Sequence, residues 1–355
     1  MWTPSRLTFG PARDNLLLTI APQEDRTLKL KTVLLLCATA MWLASCSQLG
    51  LTKEEDDTDT TMMLLLAAAY LSSQSTNPCS SSGSSTGTVG ANSTLSLTNG
   101  CVTGVTSSMD SALPAWIKNN FKCSVGYTVT NYYCFKSKNL LNAKSYYYQG
   151  TAGTGLSENF NTQSGARNYN PNYMTSQNMV YAIPASPTRN TGTLTSTQGG
   201  LVSIGIGVNG LAIFNNAAAP PDTLSDEAKT FDDQEGHPQN SGIYHHHSQY
   251  INGDGTAGGL ATTNLTTAGS SQLIGVALDG YAIYGQFCGS ATTGQNNTAT
   301  GLDSLHGHTT TTPEFSTATY HYHYGGTTGG GNDSTAGIPT LMGSYFYGVA
   351  GKVSN

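Results

Sequence analysis

The chain has 355 residues, enough for one large or two modest domains. Charged residues make up 10% of it and the formal net charge is −6; no basic patch is present, so nucleic acid is excluded as a partner on electrostatic grounds. The 41 glycines, with visibly abundant Ser, Thr and Asn, favour strands and tight turns over helices, as in an extracytoplasmic β-rich protein.

Residues 1–25 are neither apolar nor notably basic, and a true translation start near Leu28 would account for them. Arg26, Lys29 and Lys31 then form a positive n-region, and residues 32–44, TVLLLCATAMWLA, an apolar run too short for a comfortable membrane span. Leu43-Ala44-Ser45-Cys46 matches a lipobox, in which the cysteine thiol receives a diacylglycerol and becomes the first mature residue. Residues 1–45 are therefore expected to be a lipoprotein signal peptide, with a plain secretory signal or a buried helix as the alternatives. Ser47, where Asp would retain a Gram-negative lipoprotein at the inner membrane, points to an outer-membrane lipoprotein facing the periplasm or the surface, with the membrane as a partner through its lipid.

Residues 46–110 read as a low-complexity tether. Its acidic run, Glu54, Glu55, Asp56, Asp57 and Asp59, lacks the alternating ligands and glycine of a calcium loop and reads as a solvated spacer. Met62 to Leu71 is apolar but too short to span a bilayer, so a small docking helix or a segment lying against the membrane surface is expected there. Beyond Cys37 in the signal and Cys46, the cysteines are Cys79, Cys101, Cys123, Cys134 and Cys288. Candidate disulfides are Cys123–Cys134, across a hairpin, and Cys79–Cys101, within the tether; Cys288 is then free or a metal ligand. Spacing alone does not fix the connectivity.

Order is expected from near Leu113, with a β-rich subdomain over 111–185. Pro114-Ala115-Trp116-Ile117-Lys118 starts a short helix with proline at its first turn. Tyr127 to Phe135 and Ser145 to Tyr148 read as strands.

The last part of the chain, 186–355, contains two matching stretches, about 200–250 and 270–325. Ile204 to Phe214 (IGIGVNGLAIF) aligns without gaps to Ile274 to Tyr284 (IGVALDGYAIY). Both read as β-hairpins, because Asn-Gly and Asp-Gly favour two-residue turns with positive φ at both central positions. Phe231-Asp232 with Gly236-His237 then matches Leu302-Asp303 with Gly307-His308, and Tyr244-His245-His246-His247 matches Tyr320-His321-Tyr322-His323. A mainly β fold of antiparallel or mixed sheets, built from two related halves about a pseudo-twofold, is expected; such an axis would bring equivalent residues together.

All eight histidines lie between His237 and His323. Side chains two apart in a strand share a face, so His245 projects with His247 and His321 with His323, while the tyrosines take the opposite face. If the two strands are neighbours, four imidazoles converge on one ion, zinc or copper by donor type, with His237 and His308 as further ligands. Asp232 and Asp303 are candidate ligands or carboxylates that orient a histidine. His246 lies on the wrong face, and His306 falls outside the correspondence. The competing interpretation is a tyrosine–histidine hydrogen-bond network without metal.

These residues resemble the YHYH domain family, named for its Tyr-His-Tyr-His motif. The resemblance rests on Val208-Asn209-Gly210 with Ile213-Phe214, Gly236-His237-Pro238, Tyr244 to His247, Leu278 to Gly285, Leu302-Asp303 with Gly307-His308, and Tyr320 to His323, over roughly 180–355. The first motif departs from the pattern, reading Tyr-His-His-His, but keeps both candidate ligands. The family implies no established activity. Three functions stay open: an envelope metal-binding protein, a metal-dependent hydrolase in which a bound cation activates water, and a structural or adhesive module without metal. No Gly-x-Ser-x-Gly elbow in a strand-to-helix context, haem-attachment motif, Walker A loop or dinucleotide fingerprint occurs.

Overall fold

The computed structural model describes residues 77–80, 86–90, 94–160, 168–198, 203–215, 229–247, 273–285, 301–323 and 343–355, with isolated positions between 217 and 227. The signal, Cys46, the acidic run, Met62 to Leu71 and Cys288 lie outside the described residues.

The fold is mainly β. Its strands are β1 (Leu97–Thr98), β2 (Cys101–Val102), β3 (Ser108–Met109), β4 (Ser124–Val129), β5 (Tyr132–Ser137), β6 (Met179–Pro184), β7 (Ser203–Gly207), β8 (Ala212–Phe214), β9 (Gly236–Pro238), β10 (Tyr244–His246), β11 (Leu273–Ala277), β12 (Ala282–Tyr284), β13 (Gly307–Thr310), β14 (Thr319–His323) and β15 (Lys352–Ser354). Helix α1 (Ala115–Asn120) stands where the sequence predicts it, with extended Pro114 as its N-cap. The segment expected as one strand from Tyr127 to Phe135 is a hairpin, β4–β5, turning at Thr130 with φ of 47°. Ser145 to Tyr148 forms no strand but a buried turn: Tyr148 N donates to Ser145 O, and the Ser145 hydroxyl accepts the Tyr147 amide. Its three tyrosines are buried against Leu140, Leu141 and Leu156.

Two larger sheets result. Five strands run in the order β15-β6-β5-β4-β3, and eight in the order β13-β14-β12-β11-β7-β8-β10-β9. Helix α1 and the five-stranded sheet bury Ile117, Phe121, Phe135, Tyr181 and Ile183 in one core with Ile206, Ile213, Val276 and Ile283 of the eight-stranded sheet. The C-terminal strand β15 pairs with β6, so the end of the chain closes the sheet that precedes the histidine-bearing segment.

The eight-stranded sheet has the same pairing from either edge. Hairpin β7–β8 is antiparallel, β8–β10 parallel and β10–β9 antiparallel; β11–β12, β12–β14 and β14–β13 repeat those senses. Ser203 and Gly205 oppose Phe214 and Ile213, and Leu273 and Gly275 oppose Tyr284 and Ile283, each with a register shift before the glycine. The halves join along antiparallel β7–β11. Glycine is required in this seam: a Cβ on Gly205 would stand 2.5 Å from Val276 O, and one on Gly275 2.6 Å from Ile206 O.

Both hairpins form, but with a different turn from the one expected. Only the glycines take positive φ, 80° at Gly210 and 91° at Gly280, and each amide closes the turn onto Gly207 O or Ala277 O. That is a type I turn followed by a left-handed glycine, and it frees Asn209 and Asp279 to use their side chains elsewhere.

The disulfides are Cys79–Cys134 and Cys101–Cys123, not Cys123–Cys134 and Cys79–Cys101. Each bond fastens a residue of the expected tether to the β4–β5 region. Residues 77–80 and 94–110 are therefore built into the fold, with Asn77, Cys79, Leu95, Cys101 and Val102 buried. Composition misleads here because covalent cross-links do what a polar segment's small apolar surface cannot.

Candidate metal centres

The six candidate histidines gather into two groups, each within its own half: His237, His245 and His247; and His308, His321 and His323. In each group the ligand atoms lie within 4.8 Å of one another. Strand pairing explains the grouping, because His245 stands opposite His237 across β10–β9, and His321 opposite His308 across β14–β13. The expected convergence of four imidazoles on one ion does not occur. Strands β10 and β14 are separated by β8, β7, β11 and β12, so five steps of about 4.8 Å put roughly 24 Å between the groups. The halves meet at their hairpins, and the histidine strands form outside those hairpins towards the two edges.

In the first triad hydrogen bonds settle which nitrogen carries each proton. His245 Nδ1 donates to Ile243 O at 3.0 Å, and His247 Nδ1 to Asn215 O at 2.7 Å. The Thr230 hydroxyl donates to Glu227 O at 2.7 Å, so its oxygen accepts from His237 Nδ1 at 2.6 Å. The Glu227 carboxylate also lies 3.4 Å from that nitrogen. With every Nδ1 protonated, a neutral ring carries its lone pair on Nε2. Burial holds His247 down at about 4 and His245 and His237 well below the usual histidine range, so all three are neutral at pH 7. Yet His245 Nε2 and His247 Nε2 stand 3.0 Å apart, lone pair facing lone pair.

The second triad repeats two of these bonds. His321 Nδ1 donates to Thr319 O at 2.9 Å and His323 Nδ1 to Gly285 O at 2.7 Å. His308 Nε2 lies 3.1 Å from His321 Nε2 and 3.2 Å from His323 Nε2. Burial lowers His321 to about 4 and His323 to about 3. Two nitrogens bound tetrahedrally at about 2.0–2.1 Å stand about 3.3 Å apart, close to these separations. Each triad could hold a metal ion.

Asp232 and Asp303 fall outside both triads. Asp232 is fully buried and accepts hydrogen bonds from Tyr244 Oη at 2.7 Å, Ser145 Oγ at 2.5 Å and the Gln234 amide at 2.9 Å. Burial pushes its carboxyl up to about 6, against these hydrogen bonds. Asp303, exposed, accepts from Tyr320 Oη at 3.1 Å and from the Leu305 and Gly307 amides. The carboxylates thus anchor the motif tyrosines and belong to neither triad. His246 is buried between Glu235 O and the Asn209 amide, away from the triad, as its face requires. His306 belongs to neither triad and takes a φ of 61°.

Several site residues have no signal in residue type alone. The carbonyls of Ile243, Asn215, Thr319 and Gly285 act through the backbone. Phe214 stacks on His245, ring centroids 3.8 Å apart, and Phe231 on His247 at 5.7 Å. A cavity of about 390 Å³ opens against the first triad, and Glu227 and Thr230 contribute to its wall.

No curated protein and no solved structure matches the chain. A family model does, over a stretch that holds the first triad and the second hairpin but ends before His308, His321 and His323, short of the 180–355 expected from the motifs. Residues 180–301, about a third of the chain, match the family model described as YHYH protein.

Proposed function

We propose that the chain is a metal-binding protein of the bacterial cell envelope, anchored by a lipid at Cys46, in which each half binds its own divalent transition ion, zinc or copper, through three histidines. The observation that carries this reading is the pair of Nε2 lone pairs on His245 and His247 facing one another at 3.0 Å while both Nδ1 protons are committed to backbone carbonyls. A hydrogen-bond network cannot hold neutral rings this way, because no proton is left to put between them in the first triad; a cation can. The two disulfides support an oxidising compartment outside the cytoplasm.

The test is elemental analysis of tag-free protein. Two ions per chain are expected, one in His245→Ala and one in His321→Ala. Protein with full metal content in both variants, or none in the wild type, would end this reading. For the anchor, Cys46→Ser should release the protein from the membrane fraction.

A metal-dependent hydrolase is a second reading, favoured by the cavity against the first triad. A three-histidine ion with a position facing a cavity resembles catalytic rather than closed structural coordination.

A further inference from the structure

The cavity at the first triad has a chemical character of its own. His237, His245 and His247 are among the residues that line it, so an ion held by their Nε2 atoms presents its remaining coordination position to that space. The described lining contains no lysine or arginine; its carboxylates are Asp222 and Glu227. The rest is uncharged and mixed: hydrogen-bonding side chains such as Asn172, Gln239 and Asn240 stand beside apolar Ala217 and two prolines, with aromatic surface from Phe214 and from Tyr169, a residue 50% exposed. Glu227 is held at the site through its contact with His237 Nδ1.

Two carboxylates beside a divalent ion offset its charge, and no fork of donors is available for a phosphate or carboxylate group. We infer that the first centre binds a small uncharged ligand, an amide, ester or alcohol, through an oxygen donor at the ion's position facing the cavity. This rests on the metal-binding reading above and adds the class of ligand. The amides supply donors and acceptors for such a molecule, and the rings supply its apolar contact.

Cobalt(II)-loaded full-length protein tests it, because the visible absorption of cobalt reports a change of ligand. Acetamide, which stays uncharged when its carbonyl oxygen binds a metal, and inorganic phosphate are titrated separately, with cobalt content measured on the same samples. Acetamide should shift the spectrum at least about tenfold more tightly than phosphate. The shift should persist in His321→Ala and vanish in His245→Ala. Glu227→Gln, which keeps the shape of the wall and removes a charge, should strengthen phosphate binding. Equal or tighter binding of phosphate by the wild type, a shift that survives in His245→Ala, or no gain in phosphate binding with Glu227→Gln would overturn the inference. Two cobalt ions without any shift would sink it and leave the metal reading standing; no cobalt would remove both.

Discussion

At one edge of the eight-stranded sheet three imidazoles are buried among aromatic rings; at the other, the same three positions sit in a more polar setting. Phe214, stacked on His245, has Tyr284 as its counterpart, whose hydroxyl donates to Glu314 Oε2 at 2.6 Å. Buried Asp232 corresponds to exposed Asp303. The Asn209 amide meets His246 at 3.3 Å, where the other half joins Tyr322 Oη to Asp279 Oδ2 at 2.5 Å. Between those differences, two bonds repeat: the first His-x-His ring donates to the carbonyl two residues back, and the second to the carbonyl just past the hairpin strand. Ring orientation in both triads is therefore set by a few backbone acceptors, while the surroundings differ.

The seam offers the harshest challenge to this equivalence. Gly205→Ala and Gly275→Ala each drive a methyl into a carbonyl of the opposing half, and each should cost about 3 kcal/mol or more. Denaturant melts in which one variant is silent would show that only one half depends on the close approach.

Acid should separate the halves next. A histidine whose folded pKa lies below its unfolded value of about 6.5 stabilises the fold above that value, and the contribution is lost as pH falls towards the folded pKa. In metal-free protein His246 and His247 at about 4, with His237 and His245 also depressed, place four such groups at the first edge; His321 at about 4 and His323 at about 3 place two at the second. Asp232 and Asp279, raised to about 6, act oppositely, each adding stability below about 3.8 that is lost as pH rises through 6. Stability should fall between pH 6.5 and 4, and hydrogen exchange at pH 5 should quicken at β9–β10 before β13–β14. Simultaneous opening would contradict this weighting.

Removing an acceptor should sharpen the contrast further. Thr230→Val deprives His237 Nδ1 of its hydroxyl partner and should weaken metal binding 10–100-fold at the first centre alone. Competition titration with a chromophoric chelator would then resolve two affinities; uniform weakening would mean that the centres are coupled. The smallest difference is expected from the tyrosines. Tyr244→Phe, which strips a hydrogen bond from buried Asp232, should cost about 1–3 kcal/mol, and Tyr320→Phe less than about 1, because water can replace the hydroxyl at Asp303. Equal losses in thermal melts would show that burial does not set the cost.

The sequence carries the β class, helix α1, both hairpins and all six triad histidines, because period-two patterning and turn residues are local signals. It misplaces the histidine cluster for a topological reason: a repeat leads one to expect equivalent residues together, but strand order decides how far apart they fall. Here the two hairpins adjoin in the middle of the sheet and the histidine strands lie towards its edges. Asp232 and Asp303 look like ligands because carboxylates often are; their placement opposite Tyr244 and Tyr320 emerges only once the strands are paired. The cysteine pairing was equally out of reach, since bonds spanning 55 and 22 residues depend on where the tether lands.

Anomalous scattering from crystals of metal-loaded protein bears most directly on the central claim. Two peaks are predicted, one among His237, His245 and His247 and one among His308, His321 and His323, roughly 24 Å apart. A single peak midway between the halves, or histidines closed around no peak at all, would contradict it.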